Sequence, residues 1–562
     1  MELYRRWAEF SDMEDSLKQQ LLQMTEEEKQ DAFYTELQFG TAGMRGVLGA
    51  GTNRMNIYMI RKANLGFGKW IQSYGEEACK RGVAIAYDNR HQSKEFAMES
   101  AYILASLGIV SFVFESLRPT PELSFTVRDL NCFGGIVITA SHNPKEYNGY
   151  KVYDETGCQL IPELIANVIQ YVNEIEDPLS IKISLSEEDK KKIHIIGDKE
   201  DKRYYEKVLG IQLRPEITKK DLKIVFSPQH GTALEAIKAV FDSAGYSYCL
   251  VEEQCSFDPD FSNTKTPNPE DERAYDLAIQ YAKRENVDVV ITTDPDADRV
   301  GIAVKHEGEY HLLSGNQTAA ILLEYVFSSM MEKGKMPENP IMFNTVVTSD
   351  LGELIAKNYG VETEKTLTGF KFIGERIAAY EKSGEKSFVF GYEESYGYLI
   401  QDFVRDKDAI QASLMIAEAC AYYKSKNKSL FTVLQDLYDI YGTFRESQVS
   451  KSFEGQVGAK RMQEIMEKFR HTTMKEIGGI SVLAKEDYLT GVRYEAGIEN
   501  RMPLLPFSDV LKFYLVDGSW LAIRPSGTEP KCKFYYCVKA DTSEEAIAKE
   551  ILLHSAIEEM IS

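Results

Sequence analysis

A chain of 562 residues is too long for one hydrophobic core, so several domains are expected. Hydrophobic residues make up 43% and charged residues 27%, ordinary values for a globular protein. The formal net charge of −22 argues against nucleic acid or an anionic membrane as the main partner, and an anionic substrate would require a local positive island in a negative molecule.

Residues 1–32 place Trp7, Phe10, Leu17, Leu21, Leu22 and Met24 at roughly helical spacing among charges, which predicts helices. The opening stretch is charged and has no apolar signal region, and no run reaches the ~18 apolar residues of a membrane helix. A cytoplasmic protein is expected. Phe39-Gly40-Thr41-Ala42-Gly43-Met44-Arg45-Gly46 follows: three glycines around one arginine predict a flexible loop whose backbone N–H groups can approach an anion. A strand over Gly82–Asp88, a helix over Ser93–Leu107 and a strand near Val110–Glu115 form a βαβ layout with a mostly parallel sheet, closed by Pro119-Thr120-Pro121.

Ile136, Val137, Ile138 and Thr139 then run as a buried strand into Ala140, Ser141, His142, Asn143 and Pro144, with Lys151 beyond. A strand that stops in small polar residues delivers them to the end of a sheet, where α/β proteins build their sites. Ser141 is there either a nucleophile or a hydrogen-bonding turn residue. The charged stretch Ser184–Arg203 reads as a boundary.

The second unit starts with the strand Leu222–Phe226, a helix from Ala233, a proline-broken loop over 263–270 and a helix over Asp271–Arg284. The strand after it ends in Asp294-Pro295-Asp296-Ala297-Asp298-Arg299. Three carboxylates at alternate positions repel one another unless a cation sits among them, and hard oxygen ligands suit Mg²⁺. An EF-hand is excluded, because Arg299 stands where that loop needs Gly and Lys305 where it needs Glu. Arg299 is placed to meet a phosphate oxygen.

The third unit has a helix over Ala319–Met331, a strand over Pro340–Thr348, the loop Thr366–Lys371 with a helix behind it, and a strand Ser387–Phe390. That strand ends in Gly391-Tyr392-Glu393-Glu394-Ser395-Tyr396-Gly397-Tyr398, whose carboxylates and hydroxyls suit either polyol binding or a structural turn. A helix over Ala409–Lys424 follows. The last part differs: antiparallel strands at Val510–Val516, Trp520–Ile523 and Lys533–Val538 and a helix over Ser543–Met560 form a small α+β module. Between its strands, Arg524-Pro525-Ser526-Gly527-Thr528-Glu529-Pro530-Lys531 offers a cradle for phosphate, with Arg favoured for its planar fork. The eight cysteines have no paired-ligand spacing and read as reduced core thiols.

In their order and spacing, TASHNP, DPDADR, GYEES and RPSGTEP, with FGTAGMRG before them, resemble the α-D-phosphohexomutase superfamily over essentially the whole chain. The long N-terminal helical section and FGYEESYGY look most like the branch that holds phosphoglucomutases and phosphopentomutases. The resemblance implies an α/β fold with a four-domain architecture, three α/β domains with mixed sheets and a C-terminal α+β domain around a central cleft. The expected domains are 1–205, 206–312, 313–445 and 446–562. It implies an isomerase that interconverts glucose 1-phosphate and glucose 6-phosphate through a phosphoserine and a glucose 1,6-bisphosphate intermediate; ribose or mannose phosphates stay open as alternatives.

Carried over by position, Ser141 is the phosphorylated serine, and Lys151 and His142 are the acid/base groups. Arg45 lies near the phosphoserine, and Asp294, Asp296 and Asp298 with Ser141 hold Mg²⁺. Glu393 and Ser395 grip sugar hydroxyls, with Thr368, Gly369, Lys371 and Arg299 also toward the substrate, and Arg524, Ser526, Gly527 and Thr528 form the distal phosphate site. Where bacterial phosphomannomutase-type enzymes have SGH in the sugar loop, this chain has Ser395-Tyr396-Gly397, so no His from that loop serves as base. The implied partners are sugar phosphates, with no nucleic acid and no membrane; monomer and dimer both stay open.

Overall fold

A computed structural model describes residues 2–40, 43–453, 455–502, 505–506, 508–525 and 531–561. The chain divides into two compact units. The first comprises 1–315, 335–340 and 370–429, and the second 316–334, 341–369 and 430–562.

Three short helices, Glu2–Ala8, Asp15–Gln23 and Glu26–Phe33, open the first unit and bury Trp7, Leu17, Leu21 and Phe33 against Tyr58. The third is started by a reciprocal capping pair between Thr25 and Glu28. The first sheet has six strands in the order Met44–Val47, Tyr147–Asp154, Gly134–Ile138, Val83–Tyr87, Ser111–Phe114 and Ile193–Ile196. Val83–Tyr87 and Gly134–Ile138 are buried along their whole length, as central parallel strands covered on both faces must be. Their side chains join helix Ile57–Gln72 in a core around Phe67, Trp70, Ile85 and Ile136.

The sheet is mixed. Tyr147–Asp154 runs antiparallel to the serine strand, pairing Val137 with Lys151, and Met44–Val47 runs antiparallel to it in turn, pairing Arg45 with Gly149. Arg45 therefore sits on a strand, not in the flexible loop that its glycines suggested. The charged stretch read as a boundary contains an edge strand, Ile193–Ile196, parallel to Ser111–Phe114. Pro119-Thr120-Pro121 does not merely close the first layout: it starts the helix Thr120–Asp129, with Pro where the helix has no N–H to lose.

The second sheet orders Glu309–Leu313, Val300–His306, Val289–Thr293, Ile224–Ser227 and Tyr248–Leu250. Its last three strands are parallel and its first three antiparallel. The hairpin over residues 300–313 turns the chain straight back after the aspartate loop. The first unit also holds the helix Phe370–Ser383, the antiparallel pair Ser387–Glu393 and Gly397–Leu399, and the buried helix Ala409–Ser425.

In the second unit, residues 341–345 of the strand Pro340–Thr345 pair in parallel with Glu362–Thr366. Its C-terminal sheet is antiparallel, with Thr443–Ser452 on Lys531–Ala540, then Trp520–Pro525, Leu511–Leu515 and Ile480–Asp487 in succession. Helices Gly455–His471 and Ser543–Ile561 bury Phe469, Leu553 and Ile557 against it. Among the described residues no helix is long and apolar enough to cross a membrane.

Candidate active site

Ser141 follows the strand Gly134–Ile138 in a left-handed backbone conformation (φ +52°), which costs an L-residue about 1–3 kcal/mol and marks a position held by its surroundings. Its amide donates to Thr139 Oγ1 at 2.8 Å. The Oγ donates to Asp294 Oδ2 at 2.8 Å and lies 3.1 Å from Nδ1 of His142. The side chain is only 3% exposed, so the hydroxyl faces the aspartates and not bulk water.

Asp294, Asp296 and Asp298 leave the strand Val289–Thr293 on a tight loop that turns through Ala297 at φ +55°. One carboxylate oxygen from each lies within 4.8 Å of the others, and all three residues are buried. Asp294 Oδ1 accepts from the amides of Asp298 and Arg299, at 3.1 and 3.0 Å. Thr120 Oγ1 and Lys151 Nζ both donate to Asp296 Oδ2 at 3.0 Å. Lys407 Nζ lies 3.0 Å from Asp298 Oδ2. Asp296 Oδ1 and Asp298 Oδ1 are buried with no hydrogen-bond partner. Three buried carboxylates with two orphaned oxygens are a donor set for a hard divalent cation, and the residues present fit Mg²⁺.

The electrostatics agree. Burial, then the neighbouring Asp296 and Asp298, push the Asp294 carboxyl far above its usual range, because three anions this close are not all favoured without a cation. Asp296 moves down instead: burial opposes this, but Lys151, a hydrogen bond to Asp294 and Lys407 together outweigh it. Lys151 is driven up against its own burial by Asp296 and Asp298 and stays cationic. Burial, reinforced by Arg299 and Arg45, holds His142 neutral well below its ordinary range.

Arg45 Nη1 donates to Asn143 Oδ1 at 3.0 Å and so stands beside the serine loop. Arg299 pairs with Glu270. Glu393 closes its strand at 6% exposure, and Ser395 lies on the following turn. That turn is tied to the aspartate loop, because the Val300 amide donates to the Tyr396 carbonyl at 3.0 Å. Lys371 is at the start of helix Phe370–Ser383. Ser141, His142, Lys151, the three aspartates, Arg299, Glu393 and Ser395 thus belong to one unit. Thr368, Gly369 (φ +118°) and Arg524, at the end of strand Trp520–Pro525, belong to the other. Ser526, Gly527 and Thr528 lie outside the described residues.

Three residues at the site escaped the sequence reading. Thr120 was a proline-flanked turn residue, Lys407 one charge in the run Arg405-Asp406-Lys407-Asp408, and Arg90 the end of Asp88-Asn89-Arg90. Only Arg90, at the exit of a buried strand, carried a signal of the kind that exposed Ser141.

Four domain descriptions match the chain in order: phosphoglucomutase/phosphomannomutase alpha/beta/alpha domain I over residues 36–178, domain II over 202–308, domain III over 314–441, and the C-terminal domain over 474–554. A protein named phosphoglucomutase from Staphylococcus epidermidis is 40% identical over 521 residues, covering 92% of this chain and 93% of that one. This chain belongs to the phosphoglucomutase/phosphomannomutase family. Another phosphoglucomutase, from Staphylococcus aureus, is 37% identical over 530 residues, 94% of each chain.

Two solved structures share the fold of this family member. A putative phosphomannomutase from Thermus thermophilus aligns at TM-score 0.68 with 20% identity, covering 94% of this chain and 99% of that one. The exocytosis-sensitive phosphoprotein pp63/parafusin from Paramecium, in its open form, aligns at 0.68 with 19% identity, covering 94% and 95%. As a member of the phosphoglucomutase/phosphomannomutase family the chain is an enzyme of the mutase type, three α/β domains followed by a C-terminal domain with an antiparallel sheet.

Proposed function

We propose that this enzyme interconverts α-D-glucose 1-phosphate and glucose 6-phosphate, with Ser141 as the residue that carries the transferable phosphate. The observation that carries this reading is the buried Ser141 hydroxyl, 2.8 Å from Asp294 and 3.1 Å from a neutral histidine at the edge of a carboxylate triad. In the first half-reaction the bond between phosphorus and Ser141 Oγ breaks as a sugar hydroxyl oxygen bonds to phosphorus, giving glucose 1,6-bisphosphate. In the second, Ser141 Oγ takes the other phosphate back and the product leaves. The bisphosphate must turn round between the two, so the same groups meet either end of the sugar.

His142 Nδ1 is placed to exchange the seryl proton as the P–O bond to Ser141 breaks or forms. Lys151, held cationic by Asp296 and Asp298, supplies positive charge beside the transferring group and can only donate a proton, to the sugar oxygen when that oxygen leaves phosphorus; neutral His142 is the group able to accept the proton of an attacking hydroxyl. Asp294, Asp296 and Asp298, with a phosphate oxygen on Ser141, would hold Mg²⁺, which supplies Lewis-acid polarisation of the phosphoryl group. Arg45, beside the serine loop, and Arg299, next to Asp298, are the candidate cations for the phosphoryl oxygens. In the first unit, Glu393, Ser395 and Lys371 are the candidates for sugar hydroxyls; in the second, Thr368 and Gly369 are candidates for the substrate and Arg524 with Ser526, Gly527 and Thr528 for the phosphate that does not move. The chain's own work is positioning and charge stabilisation, which is most of what phosphoryl transfer asks of a protein.

Intact-mass measurement of the purified enzyme tests the central claim. One phosphate adduct is expected, and Ser141→Ala should remove it together with turnover; an adduct that survives the substitution overturns the assignment. A panel of glucose, mannose and ribose 1-phosphates, with and without glucose 1,6-bisphosphate, tests the substrate. The highest kcat/KM is expected for glucose 1-phosphate, and a clear preference for ribose 1-phosphate would make the enzyme a phosphopentomutase.

A further inference from the structure

Arg90 is the most thoroughly engaged cation near Ser141, and nothing in the proposed chemistry uses it. It follows the strand Val83–Tyr87, neighbour of the serine strand in the same sheet, and its side chain is completely buried. The guanidinium donates to four main-chain carbonyls of the loop that begins at Ser141. One terminal nitrogen reaches Ser141 O at 2.6 Å and Asn143 O at 2.5 Å; the other reaches Pro144 O at 2.8 Å and Tyr147 O at 3.0 Å. Behind it, Asp88 pairs with Nε at 3.2 Å, and the Phe261 ring covers the guanidinium plane at 5.1 Å from its centroid. Asp88 is itself fixed by the Ser93 hydroxyl at 2.7 Å and by the Arg90 amide at 3.0 Å.

We infer that Arg90 is a positioning residue that sets the direction of the Ser141 hydroxyl by gathering the carbonyls of the nucleophile loop on one buried guanidinium. The loop lies between two antiparallel strands and turns through a left-handed serine, a conformation with no intrinsic preference to persist. Four carbonyls converging on one point need a planar group with several fixed donors. A guanidinium offers five N–H donors in a rigid fork, whereas a lysine ammonium offers three around a single point. Because the contact is to main-chain atoms, it fixes the loop whether or not Ser141 carries phosphate. Arg90 touches neither the reacting atoms nor the carboxylate triad through any described hydrogen bond; it acts through Ser141.

This inference rests on the reading of Ser141 as nucleophile. Arg90→Lys keeps the charge and removes the fork. A nucleophile displaced by about 1 Å loses roughly 100-fold in rate. In the folded variant kcat should therefore fall by about 10- to 100-fold, with KM for glucose 1-phosphate within about threefold of wild type. Single-turnover transfer from the phosphorylated enzyme to glucose 1-phosphate should slow by the same factor. A purely structural residue would lower the melting temperature and leave the kcat of the folded fraction alone. If Arg90→Lys does not fold, Asp88→Asn, which loosens the guanidinium from behind, should show the same split, with kcat down about three- to tenfold. A folded variant whose kcat stays within twofold of wild type overturns the inference, as does one whose loss lies entirely in KM. A wild-type enzyme without phosphate on Ser141 would instead overturn the functional reading beneath it, so the two failures are distinguishable.

Discussion

At the scale of single residues, the site is a set of charges that the chain does not balance by itself. Lys151 and Lys407 each meet one aspartate of the triad at 3.0 Å, while Asp296 Oδ1 and Asp298 Oδ1 have no hydrogen-bond partner, Arg299 Nε lying 3.8 Å from the latter. What directs those orphaned oxygens is the neighbouring oxygen of each carboxylate, and for Asp296 that oxygen is shared by Lys151 and Thr120. Thr120 is buried and sits at the first residue of its helix, so its hydroxyl has one fixed direction. Outer hydrogen bonds of this type typically alter metal affinity or activity by 10- to 100-fold. Thr120→Val keeps shape and β-branching and deletes only the donor. The Mg²⁺ concentration for half-maximal activity should rise about tenfold, with little change at saturating Mg²⁺. A titration that superimposes on wild type would show that Lys151 orients Asp296 alone.

Elements decide whether these residues meet. The loop from Asp294 to Arg299 is seated against the turn after strand Ile224–Ser227, where Thr232 donates its amide to the Pro295 carbonyl at 2.8 Å. A Cβ on Gly231 would stand 2.4 Å from Pro295 Cα and 2.6 Å from its oxygen, both main-chain atoms that cannot swing aside. Gly231→Ala should thus displace the aspartate loop itself. The expectation is a loss of about 1–3 kcal/mol in stability, the usual cost of overpacking, and a loss of Mg²⁺-dependent turnover larger than the unfolded fraction explains. Equal losses in the two would show that the loop adapts. The parts of this arrangement legible in the sequence were those where a buried apolar run stops in polar residues, as at Ile138 to Ser141 and Thr293 to Asp294. Burial on both faces leaves a continuous signal, and the residues at its end are positioned by it. Ile193–Ile196 and Thr443–Ser452 were not legible, because one is an edge strand with exposed residues inside a charged stretch, and the other alternates only weakly before reaching Lys531–Ala540 far along the chain. Thr120 was hidden for a related reason: its partner is a distant carboxylate, which leaves no pattern around it, whereas Arg90 stands at the end of a buried run and only its main-chain partners were hidden.

Over the whole molecule the charge is −22, yet the site's own unit gathers Arg45, Arg90, Lys151, Arg299 and Lys407 near one serine loop and one aspartate loop. The second unit buries charge differently. Lys512, on strand Leu511–Leu515 of the C-terminal sheet, is fully buried and donates to the Val346 carbonyl at 2.8 Å, with its ammonium 4.0 Å from the centroid of Trp520. Burial first, and then the charge of Lys365, push its pKa down to about 7 from 10.5, against the opposing pull of Asp350, Glu353 and Glu486. Between about pH 7 and 10.5 the unfolded chain keeps this proton and the folded chain has released it, so folded stability rises with pH across that window. The slope from one such group is at most about 1.4 kcal/mol per pH unit. Below pH 7 both states hold the proton and the contribution is flat. Lys512→Met fills much of the same space without a titrating group. The urea midpoint of the wild type, relative to that of the variant, should therefore rise between pH 7 and pH 9, while the difference between them stays constant from pH 5.5 to 6.5. A difference that is constant over the whole range would mean that Lys512 keeps its proton in the fold, with Asp350, Glu353 and Glu486 outweighing both its burial and Lys365.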